Sequence, residues 1–278
     1  MRAPSFLRPE DYMDSAFTGG CSCGNEAEEQ TIPQQRVMAK LDSYLNSKDY
    51  EEAERHLLYW MSEADRMHDL RGQLMVSNEM IGLYRKTDRQ IEAYAYAEKA
   101  LSLLKELDFE QSISAGTTYV NAATAYNAFG DHEKALALYE KARAIYETNP
   151  AVAAHLRGGL YNNMALACAA LGRYGEAHAL YDRAMACMER VPGGALEQAV
   201  TCLNRADAVF AQRGAEAGEA EIAALLDKAW ALLHAPGGPQ NGYCAFVYEK
   251  CAPTFAWYGR FADAADLQKE AETIYEGT

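Results

Sequence analysis

Asparagine is the residue type whose placement in this chain points to chemistry. Asn121 stands two residues before Ala123, Asn163 two before Ala165, and Asn204 two before Ala206. Glu79 and Lys250 occupy the same slot before Ile81 and Ala252, while Asn78 and Asn162 lie one residue earlier on the same side. A carboxamide offers a donor and an acceptor together, which matches the C=O and N–H groups of an extended peptide. Thr117, Thr124 and Asn127 add neutral polar groups to the stretch around Asn121, where no charged residue falls between Gln111 and Gly130. Such a set recognises rather than reacts. Two readings stay open: contacts to a bound peptide, or hydrogen bonds between neighbouring helices that hold a stack together.

Covalent chemistry finds few carriers. His56, His132, His155 and His178 have no nucleophile at a fixed offset, and no G-x-S-x-G, H-E-x-x-H or phosphate-loop pattern occurs. Gly193-Gly194 and Gly237-Gly238 lack a following lysine and serve to end helices. Cys168, Cys187, Cys202 and Cys251 suit small packing positions, and Cys244 with Cys251 is too little for a metal site. Cys21 and Cys23 supply two ligands where structural zinc wants four, with no partner pair nearby. The expectation is no catalytic residue, no metal and no cofactor.

The elements that must position the polar residues are helices. Residues 117–150 read as a nearly chargeless helix to Phe129, a turn at Gly130-Asp131, and an amphipathic helix ending near Asn149-Pro150. Gly130 suits the left-handed position that closes the first helix, and Asp131 is placed to cap the second. Ala135, Tyr139 and Ala142 then fall on one face of a 3.6-residue period. One such hairpin cannot bury its own apolar face, so it predicts copies of itself. Trp60, Ala100, Ala142, Ala184, Ala229 and Ala271 mark the same place in successive copies. They are spaced by 40 (100−60), 42 (142−100), 42 (184−142), 45 (229−184) and 42 (271−229) residues. The array starts at Ile32-Pro33, and residues 213–221 absorb three extra residues in the fifth copy. In the sixth, Pro253 sits inside the first helix, where it removes one backbone hydrogen bond and predicts a kink.

Composition bounds the partners. The 278 residues carry a formal charge of −14, which repels nucleic acid and anionic lipid, so neither is expected as a partner. No run approaches the ~20 apolar residues of a membrane span, and residues 1–17 lack a continuous apolar core of a secretory signal. Seven cysteines at irregular spacing fit reduced thiols, so a cytoplasmic protein is expected. Residues 1–31, rich in Pro, Gly and acidic groups, read as a flexible leader.

The residues Tyr119, Ala123, Tyr126, Gly130, Ala135, Tyr139 and Ala142 resemble the small and large alternation of the tetratricopeptide repeat. The period of about 42 exceeds the usual ~34 residues, as in the repeats of kinesin light chains, and Tyr161-Asn162-Asn163-Met164-Ala165 is similar to their Leu-Asn-Asn-Leu-Ala run. The resemblance implies an all-α, right-handed superhelical solenoid of about six antiparallel helix pairs over residues 32–278. The copies fall near 33–67, 69–107, 112–149, 151–191, 195–235 and 240–276. It also implies a non-catalytic scaffold that binds an extended peptide or partner segment in a concave groove lined by the first helices. Asn78, Thr117, Asn121, Thr124, Asn127, Asn162, Asn163, Asn204, Arg205 and Lys250 would be its contacts. Some members grip a C-terminal carboxylate with two cations; Arg157, Arg205 and Lys250 lack the expected i, i+4 pairing for that, and Arg205 is expected to pair with a carboxylate. The alternative is a self-associating module or a regulatory sensor. There the leader would fill the groove, or Tyr243, Phe246, Tyr248, Phe255, Trp257 and Tyr258 would form a homodimer contact; those rings equally suit packing beneath the last helix.

Overall fold

A computed structural model of the chain describes residues 31–239 and 241–277. The leader and the Cys21/Cys23 pair lie outside the described residues. Every regular element among the described residues is a helix. In chain order they are α1 Gln34–Asn46, α2 Tyr50–Arg66, α3 Leu70–Lys86, α4 Gln90–Glu106, α5 Ile113–Ala128, α6 His132–Thr148, α7 Ala154–Ala170, α8 Tyr174–Met188, α9 Ala195–Leu233, α10 Gly242–Trp257 and α11 Phe261–Gly277. Helix α9 is two helices joined at Gly214, whose φ of 77° and ψ of 179° break the helical path. The elements thus form six pairs, each of a first helix A and a second helix B. The chain divides into two compact units, one ending at Asn149 and the other starting at Pro150.

The turn inside each pair is the repeated local device. The residues Lys48, Asp88, Gly130, Gly172, Gly214 and Gly259 all have positive φ, between 57° and 95°. At five of them the same two hydrogen bonds close the A helix. Around Gly130, the Asp131 N–H donates to the Tyr126 carbonyl at 2.9 Å and the Gly130 N–H donates to that of Asn127 at 3.3 Å. Arg173 and Gly172 repeat this onto Cys168 and Ala169, and Arg260 and Gly259 onto Phe255 and Ala256. This is the Schellman closure, which satisfies carbonyls that the helix end leaves open. Lys48 and Asp88 adopt it without glycine, at a cost of about 1–2 kcal/mol each. Asp131 stands at the N-cap of α6, but its side chain accepts no capping hydrogen bond there; Asp49, Asp69, Ser112 and Asn241 do cap their helices.

In the first unit, α5 is buried almost all round, because A helices meet neighbours on both sides. Ala115, Ala122, Ala123, Ala125 and Tyr126 have no exposed surface. Gly116 admits the Tyr146 ring of α6 so closely that a Cβ there would lie 2.2 Å from Cε1. Helix B carries the water-facing side: α6 buries Ala135, Tyr139 and Ala142, the face its sequence predicts.

In the second unit, α9, α10 and α11 share one core of Leu196, Leu203, Leu226, Val247, Phe255, Leu267 and their neighbours. Phe255 is wholly buried and Tyr248 nearly so, with the Trp230 ring edge-on to Phe255 at 5.9 Å. These aromatics therefore pack beneath the last helix, while Trp257 reaches solvent. Helix α10 continues through Pro253 to Trp257, with the proline ring on the exposed side. The three extra residues of the fifth pair follow Gly214 and are helical, so α9 lengthens instead of opening a loop.

Candidate peptide-binding surface

The closing turns give a register for the A helices that does not depend on which alanine follows. Nine residues before the turns stand Glu79 (88−9), Asn121 (130−9), Asn163 (172−9), Arg205 (214−9) and Lys250 (259−9). Ten residues before them stand Asn78, Val120, Asn162, Asn204 and Glu249. Asn204 therefore belongs in the row of Asn78 and Asn162, one place from the slot its following alanine suggests. Counting to Ala206 misleads because the helix phase is set by its closing turn.

In the first unit, Asn78 on α3 donates from Nδ2 to the Leu74 carbonyl and to Thr118 Oγ1 on α5, each at 3.0 Å. Asn121 Nδ2 donates in turn to Asn78 Oδ1 at 3.0 Å. Both amides are half-buried, so one edge reaches solvent. Glu79, also half-buried, has its carboxyl pushed up to about 7 by burial and by the charge of Asp42 on α1. The threonines look the other way. Thr117 Oγ1 lies 3.1 Å from the Tyr146 hydroxyl and Thr124 Oγ1 lies 2.9 Å from that of Tyr139. Thr124 has no exposed surface, and Asn127 Oδ1 pairs with His132 Nδ1 at 2.7 Å. These three residues hold α5 to α6.

In the second unit, Asn204 Nδ2 on α9 donates to Asn162 Oδ1 on α7 at 3.1 Å. Both are almost fully buried, and Asn163 is wholly so. Arg205 forms an ion pair with Asp182 of α8 at 2.6 Å. Lys250 is exposed, with its ammonium 5.7 Å from the Phe246 ring centre. Arg157, Arg205 and Lys250 lie on three different helices, α7, α9 and α10. Deeper in the unit, Asp207 accepts from the Tyr258 hydroxyl at 2.7 Å, and burial pushes its carboxyl up to about 7.

Within each unit the A helices are thus tied by amide hydrogen bonds, and in the first unit these have a solvent-facing edge. Residues 73–148 match the tetratricopeptide repeat family model, and residues 159–193 match a second model of the same repeat. The chain carries tetratricopeptide repeats. Solved structures with TPR-like repeats have the same fold. The nearly identical TPR-like repeats of a candidate kinesin light chain from Podosopora anserina align at 19% identity, TM-score 0.50, covering 73% of this chain and 95% of that one. A single-substitution form of those repeats gives 19% identity, TM-score 0.51, and 73% and 94% coverage. BtubC (BKLC) from P. vanneervenii is 19% identical over 88% of this chain and 92% of its own, at TM-score 0.49. No curated protein sequence matches the chain.

One part of the repeat's polar wiring has a sequence signal that the asparagine pattern hides. In an antiparallel hairpin, facing residues have a constant index sum. Thr117 with Tyr146 and Thr124 with Tyr139 both give 263 (117+146 and 124+139). Two threonines seven apart on helix A facing two tyrosines seven apart on helix B mark hydrogen bonds within the repeat. Among the described residues, no helix is long and apolar enough to cross a membrane, and no group of three or more His, Cys, Asp or Glu side chains is placed to hold a metal ion.

Proposed function

We propose that this chain is a non-catalytic protein–protein interaction scaffold, whose stacked helix pairs present an extended binding surface. Its A helices in the first unit would capture an extended peptide along Asn78 and Asn121. The observation that carries this is the half-buried Asn121–Asn78–Thr118 chain, which fixes both amides in place before any ligand arrives. Preordered amides lose little conformational entropy on accepting a peptide backbone. The Asn121 Oδ1 atom makes no hydrogen bond within the described residues, so it is open to accept from a peptide N–H. Asn162, Asn163 and Asn204 are too deeply placed for that role; in the second unit Arg205 and Lys250 are the reachable members of the proposed contact set.

Selection of a random-peptide library on the full chain, followed by calorimetry of the recovered peptides, tests this. Asn121→Ala is expected to weaken binding about tenfold, the worth of one well-formed hydrogen bond with its desolvation. Unchanged affinity, with an unchanged circular dichroism spectrum, would reject the row as the binding surface.

A second reading, self-association through the last pair, rests on the exposed rings of Trp257 and Phe261, 40% and 70% accessible. It expects the mass from light scattering to fall from dimer to monomer in a Trp257→Ser/Phe261→Ser variant; a monomeric wild type excludes it.

A further inference from the structure

The last helix pair departs from a charge pattern that the second to fifth pairs keep; the first has Tyr59 at that place. The residue just before the marker alanine of helix B is Lys99, Lys141, Arg183 and Lys228 in four successive repeats, and then Glu270. In two of those repeats the cation lies over a tyrosine of its own helix A, 22 residues earlier (141−119 and 183−161). Lys141 stands 5.4 Å from the Tyr119 ring centre and Arg183 4.2 Å from that of Tyr161. Tyr248 is the matching tyrosine of the last pair, again 22 residues before Glu270 (270−248). Here the ring is kept and the cation is replaced by a carboxylate.

That substitution coincides with a cavity. A space of about 190 Å³ lies beside Tyr248 and Glu270, bounded by Leu196, Leu233, His234 and Pro239. The linker residues 235–239 beside it carry no side chain larger than that of proline, whereas the linker before α7 buries Val152 to 3% exposure. The Tyr248 ring is fixed by its hydroxyl, which donates to the Leu233 carbonyl at 2.8 Å. His234 forms one wall and touches both groups: its Nε2 lies 3.2 Å from Glu270 Oε2, and its ring centre lies 5.7 Å from that of Tyr248 and 4.1 Å from that of Trp230, so a ligand would share the carboxylate and the ring with this imidazole. The Glu270 side chain is 43% exposed, so the cavity is reached from solvent.

We propose that this cavity binds a compact organic ammonium, a cation on a short apolar stem, held between the Glu270 carboxylate and the Tyr248 ring. The charge would take the place that lysine or arginine takes in the earlier repeats, supplied from outside the chain. The apolar stem would lie against Leu196, Leu233 and Pro239. Cation–aromatic attraction and a facing carboxylate act together on such a group, and both strengthen as the site sheds water. The volume is below the ~300–1,000 Å³ of drug-sized pockets, which restricts the ligand to a side-chain-sized group. Two sources share this chemistry, the lysine side chain of a partner protein and a free small amine.

The test is titration of the full chain with n-butylammonium, followed by amide NMR and calorimetry, with n-butanol as the neutral control. Shifts confined to residues 193–196, 232–239, 248 and 270 are expected with the amine and not with the alcohol. Glu270→Gln is expected to weaken the amine about tenfold with an unchanged fold. Glu270→Lys, which restores the pattern of the second to fifth repeats, is expected to abolish binding. A peptide, acetyl-Gly-Lys-Gly-amide, that binds as well as the free amine assigns the site to a partner's lysine, and binding of the free amine alone assigns it to a small metabolite. Equal response to butanol, full affinity in Glu270→Gln, or no shift at tens of millimolar amine overturns the proposal.

Discussion

Tyr126→Ala is expected to lower the stability of the first unit by about 3–5 kcal/mol, the range for removing a large buried ring. Three neighbours depend on that one ring. It has no exposed surface, packs against Tyr94 at 4.5 Å between centres, and lies under the Lys134 ammonium at 3.9 Å. Its hydroxyl donates to Glu98 of α4 at 2.6 Å, so it joins the second repeat to the third. Tyr126→Phe separates the parts. It keeps the packing and loses only the bond to Glu98, whose side chain is 59% exposed, so about 0.5–1 kcal/mol is expected. Urea unfolding followed by exchange of the α4 and α5 amides measures both. A loss below about 1 kcal/mol for the alanine variant would show that the surrounding helices collapse into the space.

Asp207→Asn is expected to flatten a pH dependence of the second unit. The carboxyl is held protonated to about 7 in the folded chain by burial and returns to about 4 when unfolded. Its folded pKa is raised, so its contribution is fully present below about pH 4 and is lost as pH rises through 7. The gap between the two values bounds the effect at about 4 kcal/mol, and 1–2 kcal/mol is expected after partial solvation of the site. The asparagine variant keeps an acceptor for Tyr258 and should match wild type at pH 4 while exceeding it at pH 8. Tyr181 and Tyr258 both face the carboxylate, and Arg205 bears on Tyr181 from the same helix as Asp207. Glu79 has the same sign in the first unit, so the readout is amide exchange in α9 and α10 and not global unfolding. A wild-type exchange rate that does not change between pH 5 and 8, after correction for intrinsic exchange, would refute the assignment.

The fold is legible in the sequence because its signals are periodic. The marker alanines, the Gly130-type turns and the buried face of α6 each follow from spacing alone, and each lies where spacing puts it. The site is legible only in part. Asparagine on a helix reports a polar need and not its direction, and phase alone does not decide whether water reaches it. Asn121 and Asn78 reach solvent at one edge, whereas Asn163 and Asn162, in the same two registers of the fourth repeat, are covered by their neighbours. Thr117 and Thr124 look like ligand contacts until Tyr146 and Tyr139 are placed opposite them. The lost cap at Asp131 has a similar origin, since a side chain suited to capping still has to choose its rotamer. The Glu270 reversal is present in the sequence, but one acid among forty carries no message until its row is known.

The corner at Gly214 has an evolutionary consequence. The chain around it, residues 211–217, is exposed at every position although it is helical on both sides. The helix that follows it already carries three extra residues, and the core of the last two pairs does not include it. Chain segments with exposed, sparsely packed backbone are where insertions, new termini and grafted domains are tolerated. This corner is therefore the place where a lineage of such arrays could acquire an extra module without disturbing the rows that flank it.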